Sequence, residues 1–178
     1  MAGIYTDKEK LNRTLEKVCV ILRENNINDW FIFFGTLLGV VRENSCIQGD
    51  DDLDIMINHD CQKLISILEK EGFKFSIKNP DKILKTISCD IYSSIDFYMC
   101  EVKLKNYFTP WQNVEIQNVE IESKKWRSAQ INLPKNSDSI LKKLYGQTWQ
   151  TPIQYKVSDK LSMAEKGGFY NQKIYTLI

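Results

Sequence analysis

Histidine is almost missing from this sequence: His59 is the only one in 178 residues. A zinc site built on several imidazoles is excluded. His59-Asp60 resembles the metal-binding dipeptide of phosphohydrolases, but the further histidines are absent, so His59 reads as a surface residue near a helix start. Glycine and proline are scarce too, at 8 and 4. No Gly-x-x-x-x-Gly-Lys loop, Gly-x-Gly-x-x-Gly turn or Gly-x-Ser-x-Gly elbow occurs. The cysteines Cys19, Cys46, Cys61, Cys89 and Cys100 are odd in number and lack Cys-x-x-Cys spacing, so they read as free thiols in a reducing compartment. The expected location is cytoplasmic. An excess of one charge is also lacking: the formal net charge is +1, which argues against a nucleic-acid partner. Phe31 to Val41 is the longest strongly apolar stretch, too short to span a bilayer and broken by Gly35 and Thr36. The first residues, Met1 to Glu9, carry no apolar signal segment, so no membrane span is expected.

What the chain does have is acid in one place. Four of the five residues from Asp50 to Asp54 are aspartates, interrupted only by Leu53. Such crowding is unfavourable unless a cation neutralises it. Leu53 to Ile57 reads as a strand, so Asp52 and Asp54 share one face while Leu53 and Ile55 point into a core. Two oxygen ligands on a rigid strand suit magnesium or manganese. A calcium loop starting at Asp50 fails, because Ile55 stands where glycine is required and Cys61 where glutamate is. Asp96, between Ile95 and Phe97, is a lone acid in an apolar strand. It needs a cation or donors, from a lysine or from a shared metal, and the shared metal accounts better for its burial. Asp50 and Asp51 read as residues that cap or shape the loop.

The local pattern supplies the frame. Thr6 and Glu9 form a capping-box pattern, and Leu11, Leu15, Val18, Cys19 and Leu22 predict a helix from Asp7 to Asn25. Trp30 to Phe34 reads as a buried strand, followed by a turn at Gly35-Thr36 and a short helix from Leu37 to Glu43. Backbone amides at such a turn can cradle phosphate, and Arg42, one turn on, can add a bidentate contact. Asp60 caps a helix closed by Gly72. Strands are predicted at Phe73 to Ile77 and Ser94 to Met99, with a turn at Asn79-Pro80-Asp81 between them. A β-rich stretch follows, then a helix from Ser137 to Tyr145 that ends at Gly146; the segment from Gln147 on shows no strong periodicity. Alternating helices and strands, then strands alone, predict an α+β fold: a mixed sheet with helices packed against it. The length suits one domain, residues 1–178.

Gly35-Thr-Leu-Leu-Gly39, Arg42 and Asp50-Asp-Asp-Leu-Asp54, in this order and spacing, resemble the LicD family, which includes fukutin and fukutin-related protein. Ile95-Asp96-Phe97 resembles its later aspartate strand. Leu133-Pro134, Leu141, Tyr145-Gly146 and Pro152 resemble its C-terminal signature, so the motif core runs from about residue 30 to 152. Two positions depart from the family pattern: Gln48-Gly49 stands where Pro-Trp is usual, and Asp96-Phe-Tyr-Met99 lacks the family's proline. The resemblance implies a nucleotidyltransferase-like fold and a metal-dependent phosphotransferase. It implies transfer of a phospho-substituent, of phosphocholine or alditol-phosphate type, from a CDP-activated donor to a glycan hydroxyl. Asp52, Asp54 and Asp96 are then the catalytic and metal residues for magnesium or manganese, and Gly35, Thr36, Gly39 and Arg42 bind substrate. The same carboxylates would serve nucleotidyl transfer from a nucleoside triphosphate to a hydroxyl. A non-catalytic domain binding a nucleotide or a protein is a third reading, and its mark, a lost carboxylate, is absent.

Overall fold

The computed structural model describes residues 7–111 and 113–152, with the backbone of Tyr175–Leu177. Helix α1 (Lys8–Glu24) starts at Asp7, whose side chain accepts from the Glu9 amide, so Asp7 is the cap that the sequence pattern assigned to Thr6. Thr6 itself lies outside the described residues. The buried stripe of α1 includes Leu11, Leu15, Val18, Cys19 and Leu22, as its spacing predicts.

Strand β1 (Trp30–Ile32) is shorter than the sequence suggests, and helix α2 (Phe34–Glu43) begins at Phe34. Gly35 and Thr36 are therefore inside the first helical turn instead of in a loop before it. The reason is local: Phe34 takes a left-handed φ of 40°. Its ring packs edge-on against Phe33 and Tyr98, at centroid distances of 4.5 and 5.3 Å. That packing turns the chain at once.

Strand β2 (Asp52–Ile57) is followed by α3 (Cys61–Lys70), capped by Asp60 and closed near Gly72 at φ 90°. Next come β3 (Phe75–Asn79), β4 (Ile83–Thr86) and β5 (Ser94–Met99). Strand β3 lies two residues later than its pattern suggests, and β4, which the sequence reading did not resolve, pairs with it across the expected turn. These strands form a mixed sheet of order β1-β2-β5-β4-β3, in which only β2 and β5 run parallel.

The second half holds β6 (Glu101–Lys103), β7 (Asn106–Thr109), β8 (Val114–Ile116), the hairpin β9 (Ile121–Trp126) and β10 (Ala129–Pro134), and α4 (Ser137–Tyr145). Strand β11 (Tyr175–Leu177) pairs parallel to β8. Strand β10 packs against β1 and α1, and α4 packs against α2. The fold is α+β, with helices against a mixed sheet. No helix among the described residues is long and apolar enough to cross a membrane. All five cysteines are free.

Candidate active site

Strand register builds the site. In the β2–β5 ladder Asp52 faces Ser94 and Asp54 faces Asp96, so three carboxylates lie on two adjacent parallel strands. Leu53, Ile55, Ile95 and Phe97 are fully or almost fully buried and lock those strands into the core. Asp54 and Asp96 are buried as well, at 7% and 4% exposure.

Asp54 is held on all sides. Its Oδ2 accepts from the Gly35 amide at 3.1 Å and its Oδ1 from the Tyr98 hydroxyl at 3.0 Å. Its own amide donates to Thr36 Oγ1 at 2.8 Å, and its carbonyl accepts from the Phe33 amide at 3.0 Å. Gly35 and Thr36 thus hold Asp54 in this conformation. A Cβ on Gly35 would stand 2.7 Å from Asp50 Oδ2, so a larger residue there must push the Asp50 side chain aside.

The acidic loop closes on the same place. Carboxylate oxygens of Asp50, Asp51 and Asp52 lie within 4.8 Å of one another. Ser94 Oγ donates to the Asp51 carbonyl at 2.9 Å and ties the loop to β5. Asp50 and Asp51 are therefore part of the acidic cluster, a larger share than loop shaping alone. Gly39 has a different role: a Cβ there would meet the Ser45 carbonyl at 2.6 Å, so it lets α2 press on the backbone leading into this loop. Arg42 pairs with the neighbouring Glu43 and lines a cleft beside α4. His59 is half-buried next to the Asp60 cap.

Two partners were not read from the sequence. Lys85, opposite Asp96 in the β4–β5 ladder, forms an ion pair with it. Tyr98 was legible in principle, since it stands two residues after Asp96 and so on the same strand face. Lys85 had no such signal, because its strand was unread.

Electrostatics shows how much positive charge the cluster lacks. Burial, then the charges of Asp96, Asp51 and Asp50, pushes the Asp52 carboxyl up to about 7, against a smaller opposing pull from Lys85. Burial and the charges of Asp52, Asp50 and Asp96 push Asp54 well above the carboxylate range. Asp96 is also raised by burial, with Lys85 pulling it down. Crowded, buried, oxygen-only side chains with raised proton affinity have the chemistry of a site for a hard divalent cation. The donor set fits magnesium or manganese.

The profile of the LicD/FKTN/FKRP nucleotidyltransferase domain matches residues 27–138. This chain belongs to that family. The matched region is that family's nucleotidyltransferase domain. An uncharacterized protein of Rickettsia prowazekii (strain Madrid E) is 40% identical over 76 residues, 40% of this chain and 28% of that protein. The match thus spans under a third of that relative's length. Among solved structures, the lincomycin-bound lincosamide antibiotic adenylyltransferase LnuA is similar at TM-score 0.58 and 12% identity, over 90% of this chain and 96% of that one. The antibiotic-resistance factor ANT(2'')-Ia is similar at TM-score 0.54 and 13% identity, over 90% and 86%. At these identities the likeness speaks for the fold.

Proposed function

We propose that this LicD-family domain, read as one unit over residues 1–178, is a metal-dependent phosphotransferase. The donor is CDP-activated, of CDP-choline or CDP-alditol type, and the acceptor is a glycan hydroxyl. The observation that carries the reading is the set Asp52, Asp54 and Asp96 on two paired strands, Asp52 half-buried and the other two buried, all raised in proton affinity.

Asp52 and Asp54 would hold magnesium or manganese, with Asp96 completing the site or receiving a proton. When bound, the cation neutralises charge on the diphosphate and on the transferring phosphoryl group. The acceptor oxygen forms a bond to the donor's β-phosphorus while the bond from that phosphorus to the CMP oxygen breaks, and CMP leaves. Asp96, with its proton affinity raised, is suited to take the hydroxyl proton. Lys85 beside it keeps one positive charge on the cluster. Gly35 and Thr36 fix Asp54, and the amide end of α2 that they form faces the same carboxylates where the phosphates would bind. Gly39 shapes the loop, and Arg42 offers its guanidinium to a phosphate from the neighbouring cleft.

A second reading, nucleotidyl transfer, is favoured by the fold shared with the adenylyltransferase LnuA and with an antibiotic-resistance factor. Product analysis separates the two. Incubation with manganese, a hydroxyl acceptor and either CDP-choline or CTP should release CMP from the first. Pyrophosphate released from the triphosphate alone would establish the second reading instead.

A further inference from the structure

Helix α1 precedes the matched span of residues 27–138, and no step of the proposed reaction involves it. Yet two of its polar side chains, Asn12 and Thr14, are fully buried. We propose that Asn12 and Thr14 are positioning residues: from two sides of α1 they hold the two segments that flank the carboxylates, and so fix the spacing that receives the cation. The inference rests on the metal-dependent reading given above.

Residues four apart on a helix lie on one side of it. Lys10 and Thr14 form such a row on one side of the buried Leu11 and Leu15, and Lys8 and Asn12 form one on the other. The first row holds the loop before β5. The Ser93 amide donates to Thr14 Oγ1 at 3.0 Å, and Lys10 Nζ donates to the Cys89 carbonyl and to Ser88 Oγ. The second row holds the segment between α2 and the acidic run. The Cys46 amide donates to Asn12 Oδ1 at 2.8 Å, and Asn12 Nδ2 donates to Ser45 Oγ at 2.9 Å. The Lys8 amide donates to Gln48 Oε1 at 3.4 Å.

The two held segments meet at the site. Ser93 adjoins Ser94, whose Oγ donates to the Asp51 carbonyl at 2.9 Å, and the Asp50 amide closes a turn on the Ile47 carbonyl at 3.3 Å. A closed circuit therefore runs from α1 through both segments to the acidic cluster. Asn12 and Thr14 each supply the acceptor for a buried amide in that circuit. Without the acceptor the donor is left unpaired, and the segment must shift to find another. Thr36 does the same for the Asp54 amide from within the site.

Manganese titration, with a melt of each protein in chelator, tests this. Thr14→Val keeps the shape of the side chain and removes the acceptor, and Thr14→Ser restores it. Val18→Ala thins the buried stripe of α1 without removing a side-chain hydrogen bond, so it reports what destabilisation alone does. Thr14→Val should weaken manganese binding by the folded protein about fivefold, less than the loss of about tenfold or more typical of a group bonded directly to a metal ligand. Thr14→Ser should bind as wild type does. Val18→Ala should melt several degrees lower and bind manganese unchanged. Asn12→Ala, on the other row, should weaken manganese binding likewise, and it decides the matter if Thr14→Val does not fold. Unchanged affinity in these folded variants, or an equal loss in Thr14→Ser or Val18→Ala, would overturn the positioning role and leave the metal site standing. A wild-type protein that binds no manganese would defeat both.

Discussion

Asp52 carries the charge problem of the whole cluster in one side chain. Its carboxyl is raised from the usual 3.8 to about 7, so between those values the folded protein keeps a proton that the unfolded chain releases. This contribution to metal-free stability is therefore full below pH 3.8 and is lost as pH rises towards 7, and Asp54, shifted the same way, deepens the loss. In chelator the melting temperature should fall between pH 5 and pH 8, on the order of 5 °C. Saturating manganese should abolish the fall, since the cation replaces the protons. A flat profile in chelator would contradict this assignment. Lys85 predicts an opposite pair of effects. Lys85→Met removes the counter-charge of Asp96, so the metal-free protein should lose about 1 kcal/mol, a modest figure because Lys85 is 28% exposed. Manganese should bind several-fold more tightly, because a competing cation is gone. A merely structural lysine would weaken both, as chelator melts and manganese titration together would show.

The first turn of α2 is the element that the site depends on most. Alanine normally stabilises a helix relative to glycine, by about 1 kcal/mol. Gly35→Ala should reverse that expectation in function, because the added Cβ would press on Asp50 Oδ2 at 2.7 Å. The Asp50 side chain must swing away from the cluster, so manganese affinity should fall several-fold while the melting temperature changes little. Gly39→Ala meets the Ser45 backbone at 2.6 Å, which cannot swing aside, so here the melting temperature itself should drop by several degrees. Circular-dichroism melts with manganese titration distinguish the two glycines. The sequence exposed Gly35, Thr36 and the strand pair Asp52 and Asp54, because each is a local pattern. It did not expose where α2 begins, since the turn at Phe34 depends on the neighbouring Phe33 ring and on the Tyr98 ring from the distant β5. Periodicity carries no trace of such packing.

At the scale of the molecule, a non-local register decides the chemistry. Asp54 and Asp96 are 42 residues apart in sequence and meet only because β2 and β5 run parallel. The sequence marked Asp96 as an acid needing a cation and named both candidate solutions. The fold supplies Lys85 from β4 and places the metal candidates beside it, so the two solutions coexist around one carboxylate. The α+β class, helices α1, α3 and α4 and the acidic strand were all legible from spacing and caps. Strand order, the α2–α4 cleft and the hydrogen bond from Tyr98 were not, because each joins segments that no local pattern links. The central claim is that this carboxylate set holds a divalent cation. Manganese titration of wild type against Asp54→Asn tests it most directly, with a melt of each protein at neutral pH. Wild type should bind manganese, and Asp54→Asn should lose at least about a hundredfold in affinity with an equal or higher metal-free melting temperature. Equal manganese affinity in both folded proteins would contradict it.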